Sequence, residues 1–143
     1  MADKSLTPAS VVPSANATLI YGTYGATVTA GQAVYADATA LDSLGRAKFK
    51  LADNNASAAT AAMQGIAVNG GSDGQPATIC QADPVFTHGL ATVAAGDVLV
   101  LSATAGGIAP VADLATGNYP VVAMVGLGAT TAVLKITAGT VVK

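Results

Sequence analysis

Between Arg46 and Leu51 the chain alternates strictly: Arg46, Lys48 and Lys50 are cationic, and Ala47, Phe49 and Leu51 are apolar. Successive side chains of a strand point to opposite faces, so this stretch predicts a strand with one charged and one apolar face. The other apolar runs are equally short. "QAVYADA" from Gln32, "GIAVNG" from Gly65, "ATICQADPVFTHG" over 77–89, "DVLVLSA" from Asp97 and "TAVLKITAG" from Thr131 are separated by Gly-, Asp- and Asn-containing stretches. Short runs rich in Val, Ile and Thr between such residues predict strands and turns. "NNASAATAAM" (54–63) departs from the pattern. There a short helix over Ser57–Met63, capped by Asn54 or Asn55, competes with a loop.

The runs recur in order. "ATVTAGQAVYADAT" (26–39) and "ATVAAGDVLVLSAT" (91–104) share their opening Ala-Thr-Val, a central Ala-Gly and a closing Ala-Thr, 65 residues apart. Each leads to a Gly-started run ending in Ala-Asp, then to a linker, then to a Gly-containing apolar run. Two copies are too few for a solenoid and suit a duplicated β unit. The expectation is an all-β fold, a β-sandwich or squat barrel, with halves at about 26–89 and 91–143. In each, Gly31 or Gly96 supplies a conformation that a Cβ would penalise. The predicted core is Val28, Val34, Phe49, Leu51, Ile66, Val68, Ile79, Leu99, Leu101, Val125 and Leu134.

Residues 1–20 have another texture. Pro8, Pro13, Ser10 and Ser14 among Ala and Thr predict an extended N-terminal arm ahead of a single β domain over 21–143. Such an arm has little to bury at home and is a candidate to order on a partner, with Leu6, Val11, Val12, Leu19 and Ile20 as anchors. Tyr21 and Tyr24, where arm meets body, suit interface anchors and a cover for the end of the sandwich equally well.

Composition narrows the function. The 143 residues are enough for one domain with a core, built mainly from aliphatic side chains because aromatics are 4%. A net charge of −2 argues against a nucleic-acid partner. The single cysteine, Cys80, excludes an internal disulfide and a Cys-based zinc site. The start lacks the apolar stretch of a signal peptide, and Pro120–Leu134 is too short and interrupted for a membrane helix. No membrane partner, metal or cofactor is expected.

Candidate chemistry is thin. Cys80, Asp83 and His88 fall within nine residues. A lone His with no oxyanion hole favours a buried structural cysteine over a nucleophile. "NGGSDG" (69–74) reads as a hairpin turn rather than a phosphate or calcium loop, and "GLGATT" (126–131) as a strand end. No catalytic residue is expected, and the chain is not read as an enzyme. Arg46, Lys48 and Lys50 hold half of the six Lys and Arg residues. They suit either a charged, aggregation-resistant edge strand or a contact strip for an acidic protein surface.

The arrangement of "VTAGQAVYAD", "GRAKFKLAD", "GIAVNG", then "VAAGDVLVLSATAGGIAPVADL" and "VGLG" resembles the small capsid decoration, or cement, proteins of tailed bacteriophages. The resemblance covers most of residues 26–137. It implies a β-rich, non-enzymatic protein on the outer surface of the virion, present in the host cytoplasm during assembly. Its partners would be the major capsid protein and copies of itself, a trimer slightly favoured over a dimer. It would hold capsid subunits together against packaged DNA, often with an extended terminal arm. The family has no fixed site residues to carry over, so the contact candidates remain those named from the residues. The competing expectation is a surface- or fibre-associated binding module of a phage or bacterium.

Overall fold

A computed structural model describes residues 3–138 and 142–143. The described residues form nine strands: β1 (Thr18–Thr23), β2 (Ala33–Leu41), β3 (Ala47–Leu51), β4 (Met63–Ala67), β5 (Pro76–Thr87), β6 (Val98–Leu101), β7 (Ile108–Pro110), β8 (Val121–Gly126) and β9 (Thr131–Ala138). All pair antiparallel, in the order β3-β2-β4-β5-β9-β8-β6-β7, with β1 on the free side of β5. The sheet curls into a half-barrel. The only α-helix among the described residues is one turn, α1 (Ala58–Ala61). Its cap is Ser57, which exchanges hydrogen bonds with Thr60, not Asn54 or Asn55. Met63, expected to end the helix, opens β4.

The order is a palindrome: β3-β2-β4-β5 runs up to the midline and β9-β8-β6-β7 runs away from it. The duplicated unit extends to individual hydrogen bonds. Gly31 N–H donates to Ala67 O (2.7 Å) and Ala67 N–H to Gln32 O (2.9 Å). In the second half Gly96 N–H donates to Gly126 O and Gly126 N–H to Asp97 O, both at 2.8 Å. The residue after each glycine closes the turn with its side chain, Gln32 Oε1 accepting from Thr29 N–H and Asp97 Oδ2 from Ala94 N–H, each at 2.9 Å. Both glycines have left-handed φ, +93° and +88°. Ala33 pairs with Ile66 as Val98 pairs with Val125.

Two cores result. Beyond β1 the chain meets β3, where Tyr24 bridges Phe49 and Gly25 N–H donates to Phe49 O at 2.8 Å. β1, β5, β4, β2 and β3 thereby enclose Tyr24, Val28, Val34, Phe49, Ala67 and Ile79. The larger core joins both halves, packing Ala33, Ile66 and Cys80 against Leu99, Leu101, Met124 and Leu134. Most of the predicted core is therefore buried. Leu51 and Val68 are only half-buried. Val125 is 39% exposed, because it faces away from the larger core while its neighbour Met124 faces in.

The N-terminal arm is extended, with one 3-10 turn over Pro8–Ser10, and it lies on its own body. Lys4 N–H donates to Ile108 O (2.9 Å), Thr7 N–H to Gly89 O (2.8 Å) and Ala91 N–H to Ser5 O (2.9 Å). The arm thus spans the seam between β7 and the segment after β5, as Tyr24 and Gly25 span the seam beside β3. Val12 then exchanges backbone hydrogen bonds with Thr87, and β1 continues along β5 to Pro76. The expectation that the arm has little to bury at home is corrected by Val11, buried, and Leu6, packed on the larger core.

Candidate functional site

The cationic strip folds as its alternation predicts, with Phe49 in the core and Lys48 and Lys50 on the opposite face. Each cation, however, meets an aspartate of this chain. Arg46 Nη2 lies 2.9 Å from Asp42, Lys48 Nζ 3.0 Å from Asp73 and Lys50 Nζ 2.8 Å from Asp37. Hydrogen bonds from Lys50 and Thr39 lower the Asp37 carboxyl to about 2. The Arg46 backbone and guanidinium, with the Leu44 N–H, do the same for Asp42. The strip is therefore a row of internal ion pairs on an outer strand. As a contact for an acidic partner it would first have to exchange these local carboxylates for foreign ones.

The two tyrosines separate. Tyr24 is fully buried, its hydroxyl donating to Asn69 O at 2.8 Å, and burial pushes its pKa up to about 12. It belongs to the first core, which removes it from the surface candidates, as burial removes Val11. Tyr21 is 67% exposed. Leu19 and Ile20 are half-buried on β1 against the two cores. Of the proposed arm anchors only Val12 is open, at 53%.

Cys80, Asp83 and His88 each serve the fold. The Cys80 thiol is buried, and desolvation with the nearby Asp83 carboxylate pushes its pKa up to about 11. Such a thiol keeps its proton at neutral pH and is a poor nucleophile. Asp83 is buried and binds the arm: Oδ2 accepts the Ser14 N–H (2.7 Å), and Oδ1 accepts the Ser14 hydroxyl and the Val85 N–H (3.0 Å). His88 Nδ1 accepts from Leu90 N–H at 2.8 Å, so its proton sits on Nε2. Burial lowers its pKa, against an opposing effect of the Gly128 backbone.

The sequence reading missed the outer face of the second half. Val98, Val125 and Val133 are consecutive partners across β6, β8 and β9. Val85 sits in the β5 bulge between Asp83, which pairs with Leu134, and Phe86, which pairs with Ala132, so it lies opposite Val133. Val12 joins beside Thr87. Val12, Val85 and Val125 are exposed, and Val98 and Val133 are half-buried. The first-half counterparts of Val98 and Val125 are Ala33 and Ile66, which are fully buried in the core shared with the second half. A strand with apolar residues on both faces needs a cover on both, and this one has a cover on one.

No helix among the described residues is long and apolar enough to cross a membrane. No family model matches the chain, and no curated protein matches it significantly.

Proposed function

We propose that the chain is a structural virion protein, a capsid decoration protein that binds the outside of the major capsid shell and stabilises it against internal DNA pressure. The observation that carries the reading is the valine face formed by Val98, Val125, Val133 and Val85. The first-half equivalents of Val98 and Val125 are buried in the core shared with the second half, whereas Val125 itself is open. Support also comes from the resemblance over residues 26–137 and from the arm, whose hydrogen bonds to β5 and β7 stiffen the body.

The mechanism needs no chemistry at a single atom. Each exposed valine that a capsid subunit covers contributes on the order of 1 kcal/mol, because only part of its surface is still open. An interface of about 1,000–2,000 Å² per copy would bring in neighbouring polar groups as well. Repetition over a symmetric shell converts modest individual affinities into large total stabilisation. Partners are the major capsid protein and further copies of this chain, a trimer fitting a three-fold position on the shell. Tyr21 and Val12 are peripheral contacts in this arrangement, and Arg46, Lys48 and Lys50 are secondary.

Electron microscopy of virions with and without the protein tests the reading. The expected result is extra density on the outer shell that vanishes without the protein, together with heads that rupture more easily. Density confined to a tail or fibre would replace the capsid assignment with that of a fibre-associated module.

A further inference from the structure

The arm is seated on the second half by the turn that follows β5. Thr7 N–H donates to Gly89 O at 2.8 Å, Ala91 N–H donates to Ser5 O at 2.9 Å, and Leu6 bridges Leu90. Gly89 has left-handed φ, +68°, and a Cβ there would stand 2.7 Å from Thr7 O and 2.9 Å from the Val11 side chain. The arm therefore fits this one backbone shape closely. Inside the turn the shape is held by His88, the only histidine of the chain. It is 1% exposed, and its Nδ1 accepts the Leu90 N–H across the turn at 2.8 Å.

An Nδ1 that accepts an N–H carries no proton, so the ring is neutral in this arrangement. Nε2 makes no hydrogen bond within the described residues. A second proton would turn Nδ1 from an acceptor into a donor facing another donor. It would also place a charge where burial opposes it, with the Gly128 backbone alone in its favour. The charged groups on the surrounding elements are engaged elsewhere. On β5, Asp83 accepts from Ser14 and Val85. On the arm, Asp3 accepts from Ser102 and Lys4 Nζ donates to Thr92 O. Before β6, Asp97 accepts from Ala94, and on β9 Lys135 is exposed. All eight acidic side chains of the chain lie among the described residues, and none of them acts on the ring.

We propose that this turn is an acid-sensitive latch for the arm: protonation of His88 at Nδ1 breaks its bond to Leu90 N–H, and residues 3–7 leave the second half. Val12 and Ser14 are held by Thr87 and Asp83 rather than by the turn, and so form the hinge. Release uncovers the Leu6 side chain and the edge of β7, where Ile108 O loses the Lys4 N–H. The folded ring resists its proton. The seat is therefore complete above the ordinary histidine pKa, near 6.5, and weakens as pH falls towards the lowered folded value. The Asp37 and Asp42 carboxyls, lowered to about 2, titrate well below this window. The inference is independent of the capsid reading.

Hydrogen exchange of the full chain at about pH 7.5 and about pH 5.5 reads the latch, with each rate corrected for the intrinsic effect of pH. Opening of the Thr7, Leu90 and Ala91 amides should increase about threefold or more at the lower pH, within the limit of about tenfold per pH unit that one proton sets. The Ser14 amide should change little. In NMR of the same chain, the His88 ring should gain its second proton over the same pH range. His88→Asn places Oδ1 where Nδ1 stands, keeps an acceptor for the Leu90 N–H and cannot titrate, so its arm amides should show no such pH dependence. Arm protection unchanged between the two pH values would overturn the proposal, and so would a ring that protonates with the three amides still protected. A His88→Asn chain with the pH dependence of the unaltered one would overturn it as well. Should that variant fail to fold, the coincidence of ring protonation with arm opening in the unaltered chain decides alone.

Discussion

Asp83 holds Ser14 by both its backbone N–H and its hydroxyl, tying the N-terminal arm to the middle of the longest strand. Asp83 is buried and Ser14 half-buried, so the carboxylate makes charge-assisted bonds worth about 1.5–3 kcal/mol each. Ser14→Ala should lower unfolding free energy by about 1–2 kcal/mol, and Asp83→Ala by about 3 kcal/mol, because the Val85 N–H also loses its acceptor. Urea melts measure both. Losses below about 0.5 kcal/mol for each would mean that the arm is not part of the folded body.

The duplicated glycines differ in what stands beside them. A Cβ on Gly31 would come within 2.4 Å of Leu6 and 2.9 Å of Val11, whereas one on Gly96 would meet nothing within 4 Å. Both alanine variants incur left-handed strain of about 1–2 kcal/mol. Gly31→Ala should cost a further ~1–3 kcal/mol from overpacking against the arm. Leu6→Ala should recover part of that increment in a double-mutant cycle and recover nothing for Gly96→Ala. Equal effects at the two glycines would show that the arm does not pack where the structure places it.

Leu99 and Val125 lie on adjacent strands but face opposite ways. Leu99 is fully buried, and Leu99→Ala should cost ~2–5 kcal/mol through lost burial and a cavity. Val125→Ala should stay within about 0.5 kcal/mol, as surface substitutions do. A loss at Val125 comparable to that at Leu99 would place it in the core and remove the proposed adhesive face.

Acid should act on the ion-pair row. Asp37 and Asp42 have folded pKa values lowered to about 2. A depressed carboxyl contributes stability that is complete above its unfolded pKa, near 3.9, and is lost as pH falls through the folded value. The melting temperature should therefore fall between about pH 4 and pH 2. Asp37→Asn and Asp42→Asn should flatten that fall, and at pH 7 each should already lower the melting temperature, because it removes the interactions that acid removes from the unaltered chain. A pH profile identical to that of the unaltered chain would contradict the assignment.

Strands and their duplication were legible because alternation, glycine turns and the repeated phrase all lie in local sequence. The charged and apolar faces of 46–51 could be read for the same reason. Val125 could not be assigned a face: it stands in a run apolar at every position from Val121 to Val125, where period-two alternation gives no signal. The docking of the arm was hidden too. Leu6 and Val11 stand among Pro, Ser and Thr with no strand period around them, and the arm is seated by Gly31, Gly89 and Asp83, far away in sequence. The pairing of Lys48 with Asp73 spans 25 residues and a hairpin, a distance no spacing rule covers.

The most direct test of the capsid account is co-sedimentation of the protein with heads that lack it. Val85→Asp and Val125→Asp, each at an exposed position compatible with folding, should reduce occupancy at least tenfold when combined, with circular dichroism and melting curves unchanged. Charge reversal at Lys48 and Lys50 should weaken binding less, and mainly at low salt, because exposed charges are screened. Undiminished occupancy of the double valine variant would contradict the account, and the contact surface would then have to lie elsewhere on the body.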